Sequence, residues 1–196
     1  MSISKSALRS SARQLRETVA SQYPAAANDL AAVFPVKLLE RFGPDVAGYL
    51  AIGSELNPAP LLDRLKALGA NICLPRVEAD DTMTFRRVAS PEDLTPGPFG
   101  LTQPSEAAEI AHPTLVLTPL LAFDADGNRL GYGKGHYDRA LAGLRENGRV
   151  FVCGLAFPEQ EVLSVPTEAT DIPLDWVVTT ERSIPLFLAR AASRKS

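Results

Sequence analysis

Glycines and cations alternate in one short segment of the chain. Gly131, Gly133 and Gly135 occupy every second position, and Lys134 stands between the last two. Glycine amides can approach a ligand without obstruction from a Cβ atom, and glycine readily adopts positive φ angles. Bare amides beside cations and at the start of a helix form a cradle for phosphate groups. The segment therefore predicts a phosphate site, and a tight, charged surface turn is the alternative.

The loop matches neither of the common nucleotide-binding patterns. A P-loop would have glycine in place of Asn128 and serine or threonine in place of Gly135. A dinucleotide fingerprint would have glycine where His136 stands. Arg129 and Arg139 add positive charge on either side of the glycines. We therefore expect a phosphate-binding loop of another kind.

A carboxylate follows this loop in the first turn of a helix predicted over residues 136–146. Mg²⁺ that is bound together with phosphates takes only one or two protein carboxylates, so Asp138 is a candidate ligand. A carboxylate in the first turn of a helix is also favoured by the helix dipole alone. The residues themselves leave both interpretations of Asp138 open.

Cations also recur near the N-terminus, where a helix is predicted over residues 4–20. Their spacing of three and four places them on one face of that helix; they are Lys5, Arg9, Arg13 and Arg16. Like charges at this spacing repel one another. An adjacent apolar stripe, which we expect to face inward, consists of Leu8, Ala12, Leu15 and Val19. The cations either border a cleft or form a solvated basic face.

The remaining elements alternate between strands and helices. Strands are predicted over residues 46–52, 71–77, 83–88, 115–121, 150–157 and 176–179, and further helices over 28–42, with a break at Pro35, and over 60–68. This alternation indicates a three-layer, Rossmann-like α/β fold in which helices flank a mostly parallel, mixed sheet. Ligands of such sheets bind at the carboxyl ends of the strands, and the glycine loop follows the 115–121 strand. We expect one domain over residues 1–196, with 186–196 a partly ordered tail.

Composition limits the classes of partner. The chain has 20 basic and 23 acidic residues and a net charge of −3, so we expect no nucleic-acid partner. It has no apolar run as long as a membrane span and no secretory signal, so we expect a cytoplasmic protein without a membrane partner. Cys73 and Cys153 lie in apolar segments and are predicted to be buried, reduced thiols.

The segment from Arg129 to Gly135, followed by Tyr137-Asp138-Arg139, resembles the signature of the 5-formyltetrahydrofolate cyclo-ligase family. Weaker similarities follow in the order of the family's motifs: Lys5-x-x-Leu8-Arg9, Glu55 where the family has a substrate-contacting glutamate, Leu74-Pro75-Arg76, Phe99-Gly100 with Pro104, and Pro119 to Asp124. One departure is His136, where the family commonly has tyrosine.

The resemblance implies a reaction. ATP and 5-formyltetrahydrofolate would give 5,10-methenyltetrahydrofolate, ADP and phosphate in the presence of Mg²⁺, through a phosphorylated formyl (imidate phosphate) intermediate. It also implies a monomer whose partners are these small molecules. Two alternatives stay open: a relative that keeps the phosphate loop but acts on another substrate, and a non-catalytic domain that senses a phosphate ligand.

The resemblance also implies roles for individual residues. ATP would be bound by Lys5, Arg9, Arg129, Leu130, Gly131, Tyr132, Gly133, Lys134, Gly135, His136 and Tyr137, with Lys134 and Arg129 catalytic. The folate would contact Leu50, Glu55, Tyr132, Gly133, Lys134, Gly135 and His136. Mg²⁺ would be held by Asp138 and Asp171. Without the resemblance, Glu55 is equally a surface carboxylate that precedes a helix.

Overall fold

The structure is a computed structural model that describes residues 4–98 and 101–186. Phe99, Gly100 and residues 187–196 of the predicted tail lie outside the described residues. The helices are α1 (Lys5–Gln22), α2 (Ala26–Val33), α3 (Lys37–Phe42), α4 (Ala59–Ala67) and α5 (His136–Glu146). The strands are β1 (Asp45–Ala47), β2 (Asn71–Val77), β3 (Met83–Arg87), β4 (Leu94–Pro96), β5 (Thr102–Pro104), β6 (Ile110–Ala111), β7 (Leu115–Thr118), β8 (Ala122–Phe123), β9 (Arg129–Leu130), β10 (Phe151–Ala156), β11 (Trp176–Thr179) and β12 (Ser183–Pro185).

Eight of these strands form one mixed sheet in the order β12-β11-β10-β7-β1-β2-β3-β6. The five central strands β11, β10, β7, β1 and β2 are parallel. The outer strands β12, β3 and β6 each pair antiparallel with their neighbour. The predicted mostly parallel, mixed sheet is thus confirmed.

Alternate residues of the central strands are buried against different layers. Leu115 and Leu117 of β7 belong to the apolar cluster that includes residues of α2, α3 and α4. Val116 between them joins the cluster on the other face, which contains Leu141 of α5. A strand covered on both faces has a nearly continuous apolar sequence, which explains the run at 115–121. The three-layer α/β prediction is confirmed.

The first predicted strand is shorter than expected. β1 ends at Ala47, whereas the apolar sequence suggested a strand over residues 46–52. Gly48 packs so closely on α4 that a Cβ atom there would lie 2.6 Å from Leu62. The chain then leaves the sheet as a loop, and Leu50 and Ile52 are exposed. This loop brings Glu55 to the carboxyl end of the sheet.

The inward face of α1 also differs from the prediction. Its buried residues are Ala12, Arg16 and Val19, whereas Leu15 is exposed. The helix packs on polar loops at the end of the sheet, where backbone carbonyls and hydroxyls accept hydrogen bonds from a guanidinium. None of the described helices is both long enough and apolar enough to cross a membrane.

Other parts of the chain match the prediction in part. The 28–42 helix is divided into α2 and α3 around Pro35, where the sequence predicted a break. Between β3 and β7, where the sequence predicted no element, lie the β4–β5 hairpin and the edge strand β6. Cys73 and Cys153 are buried free thiols, as predicted, and burial raises the pKa of the Cys73 thiol to about 12.

Candidate functional site

The glycine loop leaves the small β8–β9 hairpin, which the buried carboxylate of Asp124 organises. Asp124 accepts hydrogen bonds from the Asn128 amide at 2.9 Å and from the Val165 amide at 2.8 Å. The hairpin positions Arg129 at the start of the loop, beyond the carboxyl end of β7. Leu130 is buried with Ala12 of α1, so only its backbone can face a ligand. The loop is therefore anchored at its first residues.

The backbone of the loop requires glycine at two of its three positions. Gly133 has φ +99° and Gly135 has φ +67°, both in the left-handed region, whereas Gly131 does not. Gly135 is the N-cap of α5 and contributes no side chain that could satisfy the first amides of that helix. These amides carry the positive end of the helix dipole. The loop and the helix start thus offer donors to an anion.

The cationic face of α1 lies against this loop. The Arg9 Nε donates to the Gly131 carbonyl at 3.0 Å, and the Arg13 guanidinium lies 5.5 Å from the centroid of the Tyr132 ring. Lys5 pairs with Asp171 at 2.7 Å and with Glu168 at 3.0 Å. Lys5 and Arg9 of this face thus contact other segments of the chain, whereas Arg13 is exposed beside the Tyr132 ring, so the face is only partly solvated.

The charge of Lys5 is stabilised at this position. Burial lowers the pKa of its amine, but the hydrogen bonds and charges of Asp171 and Glu168 outweigh that effect and raise it above its ordinary value. No motif or spacing in the sequence predicted that Glu168 would lie beside Lys5.

Arg129 is the most buried cation of the loop. Its side chain is 4% exposed, and its Nη2 donates to Asp138 Oδ1 at 2.7 Å. Burial lowers the pKa of the guanidinium, and the charge of Asp138 opposes that shift. Among the described residues, no partner accepts a hydrogen bond from Arg129 Nη1, and the buried hydroxyl of Tyr137 also lacks a partner. Buried polar groups are normally hydrogen-bonded, so these two atoms are exceptions that call for an explanation.

The two predicted metal ligands lie close together. Asp138 Oδ1 also accepts from the amide of Ile172, the residue after Asp171, at 3.0 Å. No group of three or more histidine, cysteine or acidic residues suited to a metal occurs in residues 4–98 and 101–186. Two neighbouring carboxylates fit Mg²⁺ that is bound mainly through phosphate oxygens. The ion pair with Arg129 shows that Asp138 does more than interact with the helix dipole.

Glu55 lies next to Arg16 and is buried, so the surface interpretation of this residue is wrong. Its Oε2 accepts from the Ile52 amide at 2.9 Å, and its Oε1 lies 3.9 Å from Arg16 Nη1. Burial raises the pKa of its carboxyl, and the Ile52 amide, the Arg16 charge and the Tyr132 hydroxyl oppose that shift. The exposed side chains of Leu50 and Ile52 form an apolar rim beside it.

Two contacts in the site were not expected. Arg16 was recognised only as one of four cations, yet its guanidinium is buried against Ser54, the Leu120 carbonyl and Tyr132. His136 contacts Asp81, in the turn between β2 and β3, at 3.0 Å. Asp81 has φ +63°, which aspartate tolerates better than most residues. Only structure could reveal these contacts, because each joins distant parts of the sequence.

The fold and the site define an α/β protein with a cation-lined glycine loop at the carboxyl end of its sheet. Residues 1–180 match the family model described as the 5-formyltetrahydrofolate cyclo-ligase family. The chain belongs to that family.

Individual relatives agree with this assignment. The chain is 29% identical to the 5-formyltetrahydrofolate cyclo-ligase of Haemophilus influenzae over 85% of its own length and 92% of the relative. It is 32% identical to that of Mycolicibacterium smegmatis over 72% of this chain and 76% of the relative. The solved structure of the Aquifex aeolicus 5,10-methenyltetrahydrofolate synthetase superposes with a TM-score of 0.74 at 28% identity, covering 93% of this chain and 92% of the other.

Proposed function

We propose that this chain catalyses the ATP-dependent cyclisation of 5-formyltetrahydrofolate to 5,10-methenyltetrahydrofolate, with release of ADP and phosphate. Its family and the names of its relatives support the reaction. The observation that carries the proposal is the convergence of the α1 cations on the glycine loop. Phosphoryl transfer depends mainly on positioning and on charge neutralisation, and this arrangement provides both.

The ATP polyphosphate would lie between the loop and α1. The amides of Gly133 and Gly135 and the start of α5 would donate to phosphate oxygens. The buried Nη1 of Arg129 and the hydroxyl of Tyr137 would gain the partners that they lack in the protein alone. Lys134, which is exposed on the loop, would neutralise the transferring phosphoryl group.

Asp138 and Asp171 would hold Mg²⁺ at the mouth of this cradle. Each carboxylate already has one oxygen engaged with a cation, Arg129 or Lys5, so the protein would contribute few metal ligands. When bound, Mg²⁺ would offset the charge of the phosphate oxygens. Arg129 and Lys5 hold the two carboxylates in place.

The folate would bind on the Glu55 side of the cleft. Leu50 presents apolar surface there, and the buried Glu55 carboxylate would accept from the pterin N–H groups once the ligand displaces the loop that covers it. Tyr132 belongs to the loop, is 42% exposed and faces this side. His136 lies at the start of α5. All these groups come from one chain, so we propose that a monomer suffices.

The reaction would proceed in two steps. The formyl oxygen attacks the γ-phosphorus, the bond to the bridging oxygen of ADP breaks, and an N5-iminium phosphate forms. N10 then attacks the formyl carbon and loses its proton to solvent, and the carbon–oxygen bond breaks as phosphate leaves. Phosphorylation is needed because oxide is a poor leaving group. Lys134 and Arg129 would stabilise the charge that develops in the first step.

A direct assay tests the proposal. Purified protein with MgATP and 5-formyltetrahydrofolate should increase the near-ultraviolet absorbance of the methenyl product, with one ADP formed per turnover. No product in the presence of an active control enzyme would overturn the proposal. ATP binding without folate turnover would instead indicate a family relative with another substrate. Binding of phosphate esters without ATP hydrolysis would indicate a non-catalytic sensing domain.

A further inference from the structure

Arg16 is buried, although the other three cations of its helical face are partly or fully exposed. The residue is 3% exposed, whereas Arg13, one turn earlier, is exposed. Burial of a guanidinium is costly unless its donors are satisfied. An apolar side chain would attach α1 to the sheet at lower cost. The position of Arg16 therefore calls for an explanation beyond helix packing.

The guanidinium joins three separate segments of the chain. Its Nε donates to Ser54 Oγ at 3.1 Å, in the loop that carries Glu55. Its Nη1 donates to the Leu120 carbonyl at 3.2 Å, in the segment after β7. Its Nη2 donates to the hydroxyl of Tyr132, in the glycine loop. A planar fork holds its donors in fixed directions toward three separate segments, whereas the compact ammonium group of a lysine has three donors but cannot reproduce that geometry.

The same guanidinium lies beside both Glu55 and the Tyr132 ring, so its charge acts on both residues. It lies 3.9 Å from Glu55 Oε1 and 5.4 Å from the centroid of the Tyr132 ring. Glu55 belongs to the proposed folate side, and Tyr132 belongs to the loop proposed to bind ATP. No other described arginine contacts both residues. The half-exposed Tyr132 is the end of this network that a ligand can reach.

We infer that Arg16 is a positioning residue that couples nucleotide binding at the glycine loop to folate binding at Glu55. A nucleotide that orders the loop fixes Tyr132, and Arg16 transmits that order to Ser54 and Glu55. Each ligand then strengthens the binding of the other by the same factor. The inference rests on the proposed function, because that proposal places the two ligands on opposite sides of Arg16.

The test uses three single variants of the full chain. Arg16→Lys keeps the charge but loses the three-way fork, and Tyr132→Phe removes the hydroxyl that accepts from Arg16 and also interacts with Glu55. Arg13→Lys is the matched control, because Arg13 also lies beside the Tyr132 ring but has no described hydrogen bond to the Glu55 loop. If Arg16→Lys fails to fold, Ser54→Ala, which removes the acceptor of Arg16 Nε, takes its place beside Tyr132→Phe.

Calorimetry with MgADP and 5-formyltetrahydrofolate measures the coupling. Each ligand is titrated alone and with the other at saturation. We expect each ligand to bind wild-type protein at least about fivefold more tightly when the other ligand is present. In Arg16→Lys and Tyr132→Phe this ratio of affinities should fall to about 2 or less, and in Arg13→Lys it should stay at the wild-type value. Wild-type coupling that persists in both variants, or an absence of coupling in wild type, would overturn the inference.

Hydrogen exchange without ligand separates this inference from the proposed function. In Arg16→Lys, amides of residues 52–55 and 131–135 should both exchange faster than in Arg13→Lys. Faster exchange confined to α1 would mean that Arg16 only attaches the helix, and would overturn the inference. If neither ligand binds but both segments exchange faster in Arg16→Lys, the proposed ligands are wrong. Arg16 would then still connect the two segments.

Discussion

Replacement of Gly133 by alanine tests the geometry of the loop most sharply. At this residue φ is +99°, and an added Cβ would lie 3.1 Å from Arg9 Cζ. The substitution therefore forces a strained backbone and displaces the guanidinium that holds the Gly131 carbonyl. Gly131→Ala is a matched control two residues away, because its φ is not positive and nothing lies within 4 Å of the added atom.

The expected loss of stability follows from three contributions. A left-handed backbone costs a residue with a Cβ atom about 1–2 kcal/mol. Loss of the hydrogen bond from Arg9 costs about 1 kcal/mol. The reduced entropy of the unfolded chain returns about 0.4–1 kcal/mol. The free energy of unfolding of Gly133→Ala should thus fall by about 1–2.5 kcal/mol, whereas Gly131→Ala should change it by about 0 to +1 kcal/mol.

Urea denaturation followed by circular dichroism measures both variants. With a slope of about 2 kcal/mol per M, the midpoint of Gly133→Ala should fall by roughly 0.5–1.25 M. The midpoint of Gly131→Ala should stay the same or rise slightly. Equal midpoints for the two variants would refute the reasoning, because they would show that neither the φ angle nor the Arg9 contact constrains the loop.

Three further substitutions test the charges of the site. Lys134→Ala should lower the turnover rate by about 100-fold or more with an unchanged urea midpoint, since the side chain is exposed; full activity would contradict the role assigned to Lys134. Asp138→Asn should raise the Mg²⁺ concentration needed for half-maximal activity, and an unchanged titration would leave Asp138 only its ion pair with Arg129. Glu55→Gln tests the raised pKa of Glu55: the folded protein holds this proton more tightly than the unfolded chain, so ionisation costs stability. The free energy of unfolding of wild type minus that of Glu55→Gln should therefore fall as the pH rises above the ordinary glutamate value of 4.5, and a difference that rises or stays flat would contradict the burial of this carboxyl.

The sequence predicted the features that depend on local pattern. The apolar runs located the central strands, and the alternating glycines located the loop before α5. The spacing of Lys5, Arg9, Arg13 and Arg16 placed these cations on one helical face, which is the face that meets the loop. These predictions succeeded because the period of a helix or strand is a property of neighbouring residues.

Other features depend on contacts between distant segments and could not be predicted. The burial of Arg16 in place of Leu15 follows from carbonyl and hydroxyl acceptors contributed by residues 54 and 120. β1 ends at Ala47, just before Gly48, which packs closely on Leu62. Glu55, in the loop after β1, is buried beside Arg16 of α1. Apolar pattern alone carries none of this information.

The central claim is that the glycine loop and α1 together bind the polyphosphate of ATP. A crystal structure of the chain with Mg²⁺ and a non-hydrolysable ATP analogue tests it most directly. We expect phosphate oxygens within hydrogen-bond distance of the Gly133 and Gly135 amides, the Arg9 guanidinium and Arg129 Nη1. A nucleotide bound elsewhere, with these groups unchanged, would contradict the claim.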